Sequence, residues 1–212
     1  MRSTRPRYIA VEGPIGVGKS SLAQILGEKL SARVILEQAH ENPFLGDFYK
    51  DRRRHAMSTQ LFFLLQRYQQ QGELAQGDLF SRNIVTDYVF AKDRLFALLN
   101  LSADEMALYD RIYQMLKPRT VPPDLIVYLQ ARNDVLLDRI RMRARAEEKP
   151  IRADYVQEVA ASYAEYFFSY KEGPLLIVNA SDIDFVGNLE HRRELLEVID
   201  KAPAGTSHWS RG

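Results

Sequence analysis

The chain contains no cysteine among its 212 residues. Disulfide bonds, thiolate nucleophiles and zinc–sulfur sites are therefore excluded, which is typical of a reducing compartment. No apolar run approaches the length needed to cross a bilayer. Neither sign of charge is in excess, since 29 Lys and Arg residues balance 28 Asp and Glu residues to a net charge of +1. No global field attracts the chain to a nucleic acid polymer or a membrane surface. We expect a cytoplasmic enzyme with neither partner.

Short apolar runs alternate with helical patterns along the chain. Five runs predict strands: Tyr8–Val11, Val34–Leu36, Ile84–Thr86, Leu125–Leu129 and Leu175–Val178. Each is continuous rather than alternating, as in parallel strands that are covered on both faces. The predicted helices are Ser20–Leu30, Thr59–Gln71, Lys92–Leu99, Ala103–Leu116, Val135–Arg145 and Ala153–Tyr170. The pattern predicts a doubly wound α/β domain over residues 8–201 with a five-stranded parallel sheet. We expect residues 1–7 to be a flexible N-terminus and residues 202–212 to be a disordered tail.

A phosphate-binding motif follows the first predicted strand. It reads Gly13-Pro-Ile-Gly-Val-Gly-Lys-Ser20 and stands between a strand and a helix, as this motif requires. Glycine lets the backbone approach a phosphate chain, and the positive end of the helix faces the anion. Lys19 supplies a mobile charge for the outer phosphates, and the Ser20 hydroxyl can bind Mg²⁺. The residues expected to bind ATP here are Gly13, Gly16, Val17, Gly18, Lys19, Ser20 and Ser21.

Two carboxylates end neighbouring predicted strands, where functional residues of such sheets gather. Glu37 follows the second strand and suits removal of a proton from an incoming hydroxyl. An acceptor that already carries a phosphate would need a cation there, so Glu37 favours a neutral alcohol. Asp87 closes the third strand and can hold Mg²⁺ opposite Ser20. The alternatives are a solvated glutamate and an aspartate that caps the next helix.

Arginines cluster after the fourth strand. Arg139 and Arg143 are four residues apart and share a helix face, and Arg145 joins them if the helix ends near Ala144. Such a cluster beside a phosphate loop predicts a lid that stabilises the charge on the transferring group and excludes water. The alternative is a solvated arginine face that Glu147 and its neighbour balance.

Taken together, these residues resemble the deoxynucleoside kinase family, which phosphorylates the 5′-hydroxyl of a deoxynucleoside. The resemblance runs from about Tyr8 to about Phe185. Its most specific parts are the arginine lid and the spacing from Tyr49 to Gln60. The stretch from Glu37 through Asn42-Pro-Phe-Leu to Phe48-Tyr49 looks most like the bacterial deoxyadenosine and deoxyguanosine kinases.

The resemblance implies a role for each matching residue. Catalysis would rest on Glu37 as the general base, with Lys19 and Arg143. The substrate would contact Glu37, Tyr49, Gln60, Asp87, Asp93 and Glu148, with Tyr49 and Glu148 on the sugar 3′-hydroxyl and Gln60 and Asp93 at the base. The donor would lie against Arg139, Arg143, Arg145, Asp184 and Phe185, and Mg²⁺ against Ser20 and Asp87. The family also implies a homodimer.

One position departs from the family pattern. An arginine usually follows the acid at the end of strand three, but this chain has Tyr88 there. Lys92 and Arg94 are the candidates to supply the missing charge.

The choice of nucleobase can be argued from two side chains. Gln60 and Asp93 can accept hydrogen bonds from an exocyclic amine, which thymine lacks. This argument predicts thymidine as a poor substrate, and the resemblance to the bacterial purine kinases implies deoxyadenosine or deoxyguanosine.

Two other functions remain open on the sequence. A nucleoside monophosphate kinase of the thymidylate type shares the sheet, the loop and the lid, but it should carry cations where Glu37 stands. A phosphate-loop protein that binds nucleotide with weak or no transfer is the other, because of Tyr88. The chain has no N-K-x-D motif, which counts against a GTPase.

Overall fold

The computed structural model describes residues 8–76, 83–116 and 121–211. The predicted flexible N-terminus, residues 1–7, lies outside these ranges. Within them, strands and helices form an α/β fold around one parallel sheet, which confirms the predicted fold class. No helix in the described ranges is both long and apolar enough to span a membrane.

The central sheet consists of six parallel strands in the described residues. They are β1 Tyr8–Glu12, β2 Arg33–Ile35, β3 Ile84–Thr86, β4 Leu125–Gln130, β5 Leu175–Asn179 and β6 Thr206–Ser210. Their spatial order is β2-β3-β1-β4-β5-β6. Ala10 of β1 pairs with Thr86 on one side and with Ile126 on the other. The connection from β1 to β2 runs to one side of β1, and the connection from β3 to β4 crosses to the other side. A crevice therefore opens at the carboxyl end of β1, where such sheets bind ligands.

Helices cover both faces of the sheet. They are α1 Lys19–Leu30, α2 Leu45–Lys50, α3 Arg52–Gln76, α4 Lys92–Asn100, α5 Ala103–Leu116, α6 Asn133–Arg143, α7 Ala153–Phe168 and α8 Leu189–Asp200, with 3₁₀ turns at Ala39–Glu41 and Ala146–Glu148. One face of the sheet packs on buried residues such as Leu22 of α1 and Leu195 of α8. The other packs on Phe48 of α2 and Tyr163 of α7. Burial of each such side chain stabilises the fold by about 1.5–3 kcal/mol.

The predicted disordered tail is corrected by the structure. Residues 206–210 form β6, which pairs in parallel with β5 from Leu175 opposite Thr206 to Asn179 opposite Ser210. The segment is polar and mostly exposed, so its sequence carries no apolar run, although Trp209 packs on the core. Its main-chain pairing with β5 fixes it as a strand, and the sheet has six strands rather than five.

Three helices differ from the prediction by more than two residues at their start or were not predicted at all. The structure adds α2 and α8, and α3 begins at Arg52 rather than Thr59. Of two adjacent leucines in α3, Leu64 is fully buried whereas Leu65 is 52% exposed. The inward face of α3 also carries polar residues, and these reach the site described next.

Candidate active site

The phosphate-binding loop leaves β1 at the middle of the sheet and ends where α1 begins. Gly13 has a φ of +149°, and a Cβ there would lie 2.3 Å from the carbonyl oxygen of Leu129 in β4. Gly18 precedes α1 with a φ of +105°, and a Cβ there would lie 2.9 Å from the ring of Phe185. Both positions therefore require glycine. The loop directs the first turn of α1, with Lys19 and Ser20, into a pocket at the edge of the sheet.

Lys19 is the cation of this loop. Its Nζ donates to the carbonyl oxygens of Gly13 at 2.8 Å and Pro14 at 3.1 Å. Burial, followed by the positive charge of Lys92, lowers the pKa of Lys19 to about 8. A bound anion favours the protonated lysine, so the pKa of Lys19 should rise when phosphates occupy the loop.

Asp87 connects the loop to the neighbouring strand. One carboxylate oxygen accepts a hydrogen bond from the Ser20 hydroxyl at 2.5 Å, and the other accepts one from the backbone N–H of Glu37 at 2.7 Å. It does not cap the next helix, because α4 begins at Lys92 with Ala91 at its N-cap. Asp87 thus holds the predicted metal ligand and the predicted base in a fixed relation.

Glu37 faces the pocket between two cations. Its Oε2 accepts a hydrogen bond from Nζ of Lys92 at 2.9 Å, and its Oε1 contacts the guanidinium of Arg67. Burial by itself would raise the pKa of Glu37, but Arg67 and Lys92 outweigh burial and hold the pKa well below its ordinary value. Glu37 is therefore a carboxylate at neutral pH, and 15% of its side chain remains exposed toward the pocket.

Lys92 and Arg94, the two candidates to replace the family arginine missing at Tyr88, lie in different places. Lys92 reaches Glu37 and is 4% exposed, whereas Arg94 turns outward and pairs with Asp110 of α5 at 3.0 Å. Tyr88 itself is fully buried, with its ring 5.9 Å from the guanidinium carbon of Arg67. Of the two, Lys92 alone brings a positive charge to the carboxylate.

Arg67 is a site residue that the sequence analysis missed. It lies on α3 with its side chain 3% exposed, and its guanidinium contacts Asp93 as well as Glu37. Asp93 is fully buried and does not line the pocket, so its predicted effect on a nucleobase would have to pass through Arg67. A signal was present, because Gln60 and Arg67 are seven residues apart and share one face of a helix.

The other end of the pocket carries the side chains predicted to hold a nucleoside. Tyr49 of α2, Gln60 of α3 and Glu148 of the second 3₁₀ turn all line it. The Oε1 atom of Gln60 is buried, and no described residue donates a hydrogen bond to it. A buried amide oxygen without a partner is costly, which is expected where a ligand supplies the missing donor. The aromatic rings of Phe63, Phe96 and Tyr155, which the sequence analysis did not single out, complete this end.

The predicted lid arginines divide into two groups. Arg143 binds Glu148 through both nitrogens of its fork, at 2.5 and 3.1 Å, and Arg145 lies 4.0 Å from the same carboxylate. Both arginines line the pocket, because α6 ends at Arg143 and Ala144 turns the chain with a φ of 52°. Arg139 instead donates to the carbonyl oxygens of Val17, Ala180 and Ile183, and so ties α6 to the phosphate loop.

The loop after β5 lies beside the phosphate loop. Phe185 is 2% exposed and packs against Gly18, whereas Asp184 accepts hydrogen bonds from the backbone N–H groups of Val186 and Gly187. Neither residue lines the pocket that holds Glu37. If these two residues contact the donor adenine as predicted, the adenine lies on the outer side of the phosphate loop.

The structure thus brings most predicted site residues into one pocket. Those on its wall are Gly16, Lys19, Ser20, Glu37, Tyr49, Gln60, Asp87, Arg143, Arg145 and Glu148. The others lie behind the wall or beside the loop: Gly13, Val17, Gly18, Ser21, Asp93, Arg139, Asp184 and Phe185. A phosphate loop, a carboxylate and an aromatic cleft in one pocket can align a phosphate donor with a neutral hydroxyl acceptor.

Comparison with known proteins decides among the families that this geometry allows. The family model described as deoxynucleoside kinase matches residues 9–202. The chain belongs to the deoxynucleoside kinase family. Members of this family are phosphotransferases whose acceptor is an alcohol group, so the monophosphate kinase alternative is not supported.

Several relatives match this kinase over most of their length. The deoxyguanosine kinase of Bacillus subtilis is 32% identical over 85% of this chain and 90% of its own length. The deoxyadenosine kinase of Lactobacillus acidophilus is 30% identical over 92% and 95%. Among solved structures, deoxyadenosine kinase from M. mycoides with bound dATP has a TM-score of 0.78 at 22% identity, covering 92% of this chain and 99% of the other. The structural likeness supports the fold.

Proposed function

We propose that this kinase transfers the γ-phosphoryl group of ATP to the 5′-hydroxyl of deoxyadenosine or deoxyguanosine in nucleotide salvage. The observation that carries the proposal is the Glu37 carboxylate, which faces the same pocket as Lys19 and Ser20 of the phosphate loop. The relatives named deoxyguanosine kinase and deoxyadenosine kinase support a purine substrate. The unpartnered amide oxygen of Gln60 supports recognition of a base that carries an exocyclic amine.

The reaction needs positioning and charge stabilisation more than covalent chemistry. Glu37 accepts the proton of the 5′-hydroxyl while the 5′-oxygen bonds to the γ-phosphorus. The bond from phosphorus to the bridging oxygen breaks, and its electron pair leaves with ADP. Lys19 and Arg143 stabilise the charge on the phosphoryl oxygens, and Arg139, Arg145, Asp184 and Phe185 surround the donor. For the acceptor, Tyr49 and Glu148 hold the 3′-hydroxyl, and Gln60 reads the base with Asp93 acting through Arg67.

The residues at the loop also fit Mg²⁺. The Ser20 hydroxyl and an Asp87 carboxylate oxygen lie 2.5 Å apart, and Mg²⁺ bound to a nucleotide needs only one or two protein oxygens beside water and phosphate. Among the described residues, no group of three or more His, Asp or Glu side chains is arranged to hold a metal ion, and none is needed for this mode of binding. Bound there, Mg²⁺ would neutralise phosphate charge. Ser20 and Asp87 are its proposed ligands.

A panel of deoxynucleosides tests the substrate. With ATP and Mg²⁺, we expect deoxyadenosine or deoxyguanosine to give the highest kcat/KM and thymidine the lowest. A preference for thymidine, or phosphorylation of nucleoside monophosphates in place of nucleosides, would overturn the proposal.

The Glu37→Gln variant tests the base. It keeps the shape of the side chain but removes its ability to accept a proton, so kcat should fall by about 10²–10⁴-fold. Binding of the deoxynucleoside, measured by calorimetry, should change little. A kcat within a few fold of the wild type would exclude Glu37 as the general base.

We further propose a cytoplasmic homodimer. Two helices expose apolar side chains that a dimer contact would bury, with Leu65 of α3 at 52%, Leu108 of α5 at 52% and Met115 of α5 at 77% exposed. Light scattering should report twice the mass of one chain. Replacement of Leu108 and Met115 by serine should shift the mass toward one chain if these helices form the contact.

A further inference from the structure

Lys92 and Arg67 both neutralise Glu37, but they are held differently. The guanidinium of Arg67 is fixed from two sides, because it contacts the buried carboxylate of Asp93 as well as Glu37. Among the described residues, Glu37 is the one carboxylate that contacts Lys92, whose Nζ otherwise lies 5.6 Å from the ring centroid of Phe96. Lys92 thus carries a compact charge on a flexible stem with a single anionic partner.

Lys92 shares its pocket with both the base and the phosphate loop. It lines the same wall as Glu37, Lys19 and Ser20, although it begins α4 and is distant from the loop in sequence. Its charge acts on Lys19 strongly enough to be the second cause of that residue's lowered pKa. A movement of the side chain within this shared pocket would bring the ammonium from the base toward the phosphate loop.

The proposed reaction creates a reason for that movement. A general base that two cations hold is a weak proton acceptor. Once Glu37 takes the proton, the negative charge that Lys92 neutralises is gone, while charge accumulates on the oxygens of the transferring phosphoryl group. Arg67 cannot follow this charge without leaving Asp93 unpaired in the protein interior, which is strongly unfavourable. Lys92 forms no second ion pair with a carboxylate in the described part of the chain, so it has none to break.

We propose that Lys92 is a catalytic residue whose ammonium moves from Glu37 to the phosphoryl group during transfer. The inference rests on the proposed function. The 5′-oxygen bonds to the γ-phosphorus and its proton goes to Glu37, while the bond to the bridging oxygen breaks and its electron pair leaves with ADP. Lys92 exchanges no proton or other atom with the reactants, so its contribution is electrostatic.

The first test separates catalysis from binding. Lys92→Met keeps the length of the side chain without its charge, and we expect kcat to fall by about 10²–10³-fold while KM for the deoxynucleoside changes by less than about threefold. Lys92→Arg should recover a tenth or more of the lost kcat. Arg94→Met is the matched control, since Arg94 is a cation of the same helix that faces solvent, and it should keep kcat within about twofold.

The second test does not depend on turnover. A bisubstrate analogue, in which the preferred deoxynucleoside and adenosine are joined through their 5′-oxygens by a phosphate chain, should bind Lys92→Met about 10–100-fold more weakly than it binds the wild type. The free deoxynucleoside should bind both proteins equally. If both ligands weaken together, Lys92 only maintains the pocket, and the inference is wrong.

The outcomes also separate this inference from the proposed function. A wild-type enzyme that phosphorylates no deoxynucleoside contradicts the function itself. A wild-type enzyme that does so, together with a Lys92→Met variant of undiminished kcat, contradicts only the role of Lys92.

Discussion

The two ends of the pocket are built by different means. The phosphate end comes from one continuous stretch, in which glycines shape the backbone and Lys19 supplies the charge. At the nucleoside end, side chains from α2, α3, α4 and the second 3₁₀ turn meet across the sheet edge. Its centre is a buried network of Glu37, Arg67, Lys92 and Asp93.

This difference teaches where each end is sensitive. A backbone cradle fails when an added Cβ pushes it out of place, because the backbone of a central sheet does not yield. A buried ion pair such as Arg67 with Asp93 fails when its cation is removed, because the carboxyl group is then left in the protein interior without a counter-charge. Shape should therefore control the phosphate end, and charge balance the nucleoside end.

The largest effect is expected from removal of Arg67. In Arg67→Met, the fully buried carboxylate of Asp93 loses its cation, and the free energy of unfolding should fall by about 3–5 kcal/mol, measured by urea denaturation. Deoxynucleoside affinity should fall as well. Arg54→Met places the same substitution at an exposed position of α3 and should change stability by no more than about 0.5 kcal/mol.

A double variant shows whether charge balance is the cause. Asp93→Asn added to Arg67→Met removes the unpaired carboxylate, so part of the lost stability should return. If the losses in the free energy of unfolding caused by Arg67→Met and Asp93→Asn simply add, the two side chains contribute independently. Charge balance is then not the cause.

A smaller effect, confined to the phosphate end, is expected from Gly13→Ala. The new Cβ would lie 2.3 Å from a carbonyl oxygen of β4, so the loop must shift and ATP affinity should fall by about 100-fold in calorimetry. Deoxynucleoside affinity should change little. Gly46→Ala is the control, since nothing lies within 4 Å of a Cβ at this position of α2 and alanine favours the helix by about 0.5–1 kcal/mol. Equal losses of both ligands in Gly13→Ala would contradict the separation of the two ends.

The same difference explains what the sequence could predict. The phosphate loop is one continuous stretch of sequence, so its motif predicts which residues form it and where they lie. Glu37 and Asp87 were also predictable, because each ends a buried strand and such ends meet at one edge of the sheet. The fold class followed from apolar runs that alternate with helical patterns, and the structure confirms it.

The remaining features depend on tertiary pairing. From the sequence alone, Arg67 resembles a surface residue of a helix. Its two partners, Glu37 and Asp93, lie on separate elements and meet it only in the folded structure. Lys92 and Arg94 are equivalent in sequence terms, and only the rotation of α4 decides which one meets Glu37. β6 is a polar edge strand whose hydrogen-bond partner lies in β5, so its own sequence carries no strand pattern.

The smallest expected effect comes from the protonation of Lys19. It tests whether the charge of this side chain contributes to ATP affinity at the phosphate end. Because the pKa of Lys19 is lowered to about 8, the free enzyme at pH 8 carries this proton about half the time. Bound phosphates favour the charged lysine, so ATP binding should take up about half a proton, and affinity should weaken as the pH rises above 8. Calorimetry in buffers of different ionisation enthalpy measures this uptake. Lys19→Arg, which stays charged, should bind ATP without it. If both proteins take up the same number of protons, the proton that accompanies ATP binding goes to another group. Lys19 would then already be fully charged in the free enzyme.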